Sequence, residues 1–200
     1  MEAGSGGQRP GLERPEFDTA SAADDHRAMT YLTRQYGSNP RWLRKALREV
    51  PHEIEGLLTS FDGERELRWR PTPDEWCAKE IAGYLLESER EDLRAVEAML
   101  TRNGARIEER RAYLVPGEHD YSEAHIEDLA WDFLTLRDSL LWTLDLYEDD
   151  WERTGLHPYR GEVSLTQYLH EVNERDLDVS WKLRKLQDAL EASPAPVRRR

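Results

Sequence analysis

Apolar residues recur at helical spacing in four stretches of the chain. In the first, Leu43, Ala46, Leu47, Val50, Ile54, Leu57, Leu58 and Phe61 form one stripe at i, i+3, i+4 and i+7. Pro51 falls inside it, and because proline disfavours helix at the preceding residue, a kink or fresh start is expected near Val50–Pro51, the helix running on to about Ser60. The second stretch opens with Thr72-Pro73-Asp74-Glu75, where Thr72 caps, Pro73 takes the first helical position and Glu75 closes a capping box. Its inner face reads Trp76 or Cys77, Ile81, Tyr84, Leu85, Leu93, Val96 and Leu100. Asn103-Gly104 supplies the stop, so a helix of about 28 residues is expected. A long connection over 105–120 contains Pro116-Gly117. The third stripe then runs Ile126, Leu129, Phe133, Leu136 or Arg137, Leu140, Leu144 and Tyr147, with Asp120 and Glu123 as candidate caps and Glu148–Asp150 as a solvated acidic end. After a loop with Gly155, Pro158 and Gly161, Ser164-Leu165-Thr166-Gln167 opens the fourth: Leu165, Tyr168 or Leu169, Val172, Asp176, Val179, Leu183, Leu186 and Leu190. No segment alternates with a period of two for long enough to predict a strand. The expectation is an all-α four-helix bundle with unequal connections.

Composition sets the limits of that bundle. The 200 residues support one domain, read here as 28–192 between flexible tails at 1–27 and 193–200, both too poor in large apolar groups to fold. With 28 basic against 41 acidic residues the net charge is −13, which argues against nucleic acid as a partner. The N-terminus lacks the apolar run of a secretory signal, and no stretch reaches the ~20 residues that cross a bilayer, so no membrane association is expected. One cysteine, Cys77, allows no internal disulfide, and a cytoplasmic location follows as the expectation.

Three motifs in order carry a family resemblance. Arg70-Pro71-Thr72-Pro73-Asp74-Glu75-Trp76-Cys77-Ala78-Lys79-Glu80-Ile81 resembles the entry into the second helix of DinB-like bundles, the superfamily that also includes thiol-dependent transferases. Arg137, in Phe133-Leu134-Thr135-Leu136-Arg137, falls where the third helix of that family carries its arginine. Trp151 through Leu165, with Gly155, His157, Pro158 and Gly161, looks like its approach to the fourth helix. The similarity spans about residues 42–190. It implies a divalent metal held by three histidines, one eight positions after the tryptophan and two spaced four apart on the last helix, where they share one face. Here those positions hold Tyr84, Arg175 and Val179. Arginine and valine cannot ligate a cation, so neither a metal nor another cofactor is expected.

A guanidinium in that position needs a carboxylate or solvent. The expected partners of Arg175 are Tyr84 and one of Glu80, Glu87 or Glu171. Asp176 is expected to bond Arg137 or a tyrosine, Arg137 to tie its helix to a neighbouring carboxylate, and Trp76 to anchor the bundle end or wall a pocket. Cys77 near a helix start reads as a packed thiol. The candidate site is therefore a pocket of Tyr84, Arg175, Val179, Trp76, Glu87, Arg137 and Asp176 with no catalytic residue. Its expected function is non-catalytic, and its expected partners are a small anionic ligand or a second copy of the chain. The alternative is a metal-dependent hydrolase or thiol-dependent transferase with displaced ligands, for which His170 with Glu174, and Glu171 or Glu87, are the candidates.

Overall fold

The computed structural model describes residues 40–114, 119–147 and 151–193. The expected tail at 1–27, residues 194–200 and the acidic run Glu148–Asp150 lie outside them. All four apolar stripes become helices. In chain order the elements are α1 (Pro40–Thr59), the single-turn α2 (Gly63–Leu67), α3 (Ala78–Thr101), β1 (Ala105–Arg106), a 3-10 turn at Ala112–Leu114, α4 (Ile126–Leu146), β2 (Thr154–His157), β3 (Gly161–Ser164) and α5 (Leu165–Ala192).

Three boundaries differ from the sequence expectation, each for a local reason. Helix α1 runs unbroken through Pro51, which is buried inside it. Proline removes the N–H that would have bonded the carbonyl four residues back. That carbonyl, on Leu47, instead accepts from Arg137 Nη1 at 3.0 Å, so the bond lost inside the helix is replaced by one between helices. Helix α3 starts at Ala78, not at Pro73. Thr72 and Glu75 bond each other, Oγ1 to Oε2 at 3.0 Å, within a turn, while Glu80 Oε2 accepts the Cys77 N–H at 2.9 Å and caps the helix. The third difference is a small sheet. Strand β2 pairs antiparallel with β3, and β1 lies parallel to β2 through Ala105↔Gly155 and Arg106↔Leu156. Gly104, at φ +72°, makes the sharp exit from α3 that leads into β1. The expected start of α5 stands as read: Ser164 Oγ accepts from the Gln167 N–H at 3.2 Å.

Cross-helix bonds give the directions. Arg44 bonds Leu144 O at 3.3 Å and pairs with Asp145 at 3.0 Å, so α1 runs antiparallel to α4. Glu53 meets Ser180 and Arg184, and Gln187 reaches Leu57 O, so α1 and α5 run parallel. Helices α3 and α4 pack against each other, and the described residues between them, 105–114 and 119–125, lie along α3 as a strap. Glu91 accepts the N–H groups of Arg111 and Ala112, Tyr121 donates to Glu87 Oε1 at 3.1 Å, and Lys79 Nζ donates to Ser122 O at 2.8 Å. The Tyr121 ring lies on the backbone of Gly83, where a Cβ would come within 2.4 Å of it, so glycine is what lets the strap sit down. Burial and Glu87 together push the Tyr121 phenol up to about 12, which keeps it a donor at neutral pH.

The core divides into two apolar clusters. One gathers Leu43, Leu47, Val96, Leu100, Leu140, Leu144, Leu169 and Val172; the other gathers Ile54, Leu58, Ile81, Leu85, Phe133, Val179 and Leu183. Charged residues fill the level between them.

Candidate functional site

Helix α3 places two carboxylates in that middle level. Leu85, Glu89, Asp92 and Val96 follow i, i+4, i+7 and i+11, one continuous inward stripe, and Glu89 and Asp92 are fully buried. Helix α4 adds Arg137 at 1% exposure, and α5 adds Arg175 and the fully buried Asp176. Burying such groups is favourable only when every charge is matched and bonded.

The matching is nearly complete. Arg137 grips Glu89 with two parallel bonds, Nε to Oε1 at 2.6 Å and Nη2 to Oε2 at 2.7 Å. Its Nη2 stands 2.7 Å from Asp176 Oδ2 and its Nη1 takes the Leu47 carbonyl, so one head group joins α1, α3, α4 and α5. The N–H of Arg137 is not aimed along its contact to Asp176 Oδ2, which therefore has an ion pair but no hydrogen bond. Arg175 reaches three carboxylates: Asp92 Oδ2 through Nη1, Glu89 Oε2 through Nη2 at 2.9 Å, and Asp176 Oδ1 through Nη2 at 2.7 Å and Nε at 3.1 Å. Asp92 Oδ1 also accepts from Tyr168 Oη at 2.8 Å and from Arg110 Nε at 2.7 Å. Arg110 comes from the strap, lies 4.3 Å above the Tyr168 ring and continues outward to Glu171, which Arg160 holds at 2.8 Å.

Electrostatics follow from this geometry. Burial alone would raise the Glu89 carboxyl, but the charges and hydrogen bonds of Arg137 and Arg175 outweigh it and hold the group below the usual glutamate range. Burial would lower both guanidiniums, yet Asp176 with Glu89 raises Arg137, and Asp176, Asp92 and Glu89 raise Arg175. Burial and then Asp92 raise the Tyr168 phenol, so it remains a neutral donor.

Of the seven residues expected from sequence, the structure brings Arg137, Arg175 and Asp176 into direct contact. Val179 is buried one turn further along α5, among the apolar residues of the second cluster. Tyr84 lies near Arg175, and its ring tilts against Trp76 with centroids 5.3 Å apart. Glu87 turns away, held by Arg90 and Tyr121. The expected partners of Arg175 are corrected as well. Glu80 caps α3 and binds Arg70, and Glu171 serves Arg110 and Arg160, leaving Glu89, Asp92 and Asp176 as its acceptors. Cys77 is buried, and burial raises its thiol, the opposite of an activated nucleophile.

The three positions where the resemblance places metal-binding histidines thus present a phenol, a guanidinium and an isopropyl group. Among the described residues no set of three or more His, Cys, Asp or Glu is arranged to hold a metal ion. The donors present do not fit a dication, because each buried carboxylate already faces at least one guanidinium.

The fold is a four-helix bundle with a small added sheet, its middle level filled by buried ion pairs. No protein-family model matches the chain, and no curated protein matches its sequence. Among solved structures it is similar to YfiT from Bacillus subtilis, a probable metal-dependent hydrolase with an unusual four-helix bundle topology. The two share a TM-score of 0.68 and 14% sequence identity over 76% of this chain and 87% of that one. At that identity the likeness is one of fold alone. Among the described residues no helix is long and apolar enough to cross a membrane.

Proposed function

We propose that this chain is a non-catalytic DinB-like bundle, an interaction protein whose interior is held by its own arginines in place of a metal ion. Arg175 is the observation that carries the reading. It occupies one of the three family ligand positions and brings a cation to Glu89, Asp92 and Asp176, the side chains that would otherwise draw one in. With Arg137 and Arg110 it gives three guanidiniums to three buried carboxylates, so the level is neutral as a whole. Tyr84 alone among the three positions could ligate, and one phenol does not retain a divalent ion. Docking of a small anion on Arg175 would have to displace Glu89 or Asp92, which argues for contact through a surface over capture of a ligand inside.

A hydrolase reading, suggested by what YfiT is, would need ligands elsewhere. Of its four candidates Glu171 is engaged by two arginines and Glu87 by Arg90 and Tyr121, while His170 is half-buried and Glu174 exposed on α5, in no group of three or more His, Cys, Asp or Glu arranged to hold an ion among the described residues. Elemental analysis of untagged protein purified without a metal column tests the point. The proposal expects less than about 0.1 transition-metal ion per chain; a stoichiometric ion overturns it.

A further inference from the structure

A groove of about 730 Å³ opens where α1 and α5 both finish, between the last turns of those two helices and α2. Its apolar lining is Leu57 from α1, Leu190 from α5 and the rings of Phe61 and Trp69, which flank α2 in the chain. The Trp69 ring is half-buried, and its indole N–H has no hydrogen-bond partner among the described residues. A groove lined by aromatic rings, with a spare donor, suits an extended proline-rich segment.

The charges at the groove are those that hold a cation. Because α1 and α5 run parallel, the negative ends of two helix dipoles meet here, and neither helix has a basic residue in its last turn. Glu191 has no cation beside it among the described residues, and Glu66 gives one oxygen to the Asp62 N–H. Against them the lining holds one cation, Arg65.

A segment of matching chemistry starts at the edge of the groove. Ser193 lines it and leaves α5 at φ −69° and ψ 128°, near the polyproline II values of about −75° and +145°. Next in sequence come Pro194-Ala195-Pro196-Val197 and then Arg198-Arg199-Arg200, the only run of three basic residues in the chain. Proline fixes its own φ in the polyproline II range and keeps the residue before it out of the helical region, so the two prolines favour continuing that line. Such a strand has no internal hydrogen bonds and needs no core of its own. Four residues of it span about 12 Å, enough to cross a groove of this volume.

We propose that this groove is the docking site of the chain's own segment 194–200. Pro194-Ala195-Pro196 lies in polyproline II form against Phe61 and Trp69, the Trp69 indole donates to one of its carbonyls, and the arginines that follow meet Glu66, Glu191 and the two helix ends. Tethered at the rim, the segment faces the groove at an effective concentration on the order of mM, so a contact too weak to retain a free peptide suffices.

Amide relaxation and chemical shifts of the full chain, read by NMR, test the docking. In the wild type the Val197 amide is expected to have an order parameter above about 0.6, the boundary of flexible backbone. Pro194→Gly/Pro196→Gly, which touches no residue of the helices, is expected to bring it below that boundary, and so is Arg198→Glu/Arg199→Glu/Arg200→Glu. The Trp69 indole N–H signal is expected to shift in both variants and, in the wild type, to stay fixed from about 50 to about 500 μM, because the contact lies within one chain. A flexible Val197 in the wild type overturns the proposal. So does order at Val197 that survives both variants, or a Trp69 signal that ignores them. A Trp69 signal that moves with concentration overturns it too, since the segment would then dock on a second copy.

Discussion

Replacing Arg137 by leucine is expected to cost about 3–5 kcal/mol of folding stability, the range for breaking one side of a buried ion pair. The change takes two charge-assisted bonds from Glu89, removes the cation at Asp176 Oδ2, and leaves the Leu47 carbonyl without the partner that makes Pro51 tolerable. Those groups sit on the other three long helices, so the loss spreads across the whole bundle. Against a typical total of roughly 5–15 kcal/mol this is a large fraction, read as a drop in the urea midpoint at unchanged slope. Arg137→Lys is expected to recover little, because one ammonium cannot hold a carboxylate with two parallel bonds and a carbonyl on another helix together. A loss below about 1 kcal/mol for the leucine variant would mean that the ion pairs are incidental to the fold.

Arg175→Ala is expected to be as damaging at neutral pH and to change the sign of the pH dependence. In the native chain the lowered Glu89 pKa makes a contribution that is complete above the unfolded value of ~4.3 and disappears as pH falls through the folded value. Stability should therefore be nearly flat between about pH 7 and 5. Without the Arg175 head group, Glu89, Asp92 and Asp176 converge with fewer cations among them. Burial and the neighbouring carboxylates then raise the folded Glu89 pKa above its unfolded one. Folding takes up protons in that case, so the variant should grow more stable as pH falls over the same window. Urea midpoints at about pH 7 and 5 separate the cases: a variant as flat as the wild type would show that the three carboxylates do not share the Arg175 charge.

The helices were legible because their apolar stripes are long and their periods unambiguous, down to the Ser164 cap of α5. What local sequence could not give were features completed by distant partners. Pro51 looks like a break until Arg137, far along the chain, takes the carbonyl it frees. Two acid-closed caps were available before α3, and the Thr-Pro signal at Thr72 masked the one at Cys77 and Glu80 that the helix uses. The small sheet joins Ala105–Arg106 to Gly155–Leu156, segments too short to show alternation and paired only in three dimensions. Arg137 and Asp176 were visible as charges on apolar faces. Glu89 and Asp92 were missed because the inward face of α3 was traced from Leu85 to Leu93, although Leu85, Glu89, Asp92 and Val96 keep the stricter spacing. That same register explains why Glu80 and Glu87 are not partners of Arg175: they lie on the flank of α3 away from the interior.

The claim on which the rest stands is that the Arg175 guanidinium takes the place of a dication among the side chains at 84, 175 and 179. Calorimetric zinc titration of wild-type chain beside the variant Tyr84→His/Arg175→His/Val179→His tests it most directly. No binding is expected of the wild type, and one zinc per chain of the folded variant. A wild type that takes up one zinc, or a folded variant that takes up none, would contradict it.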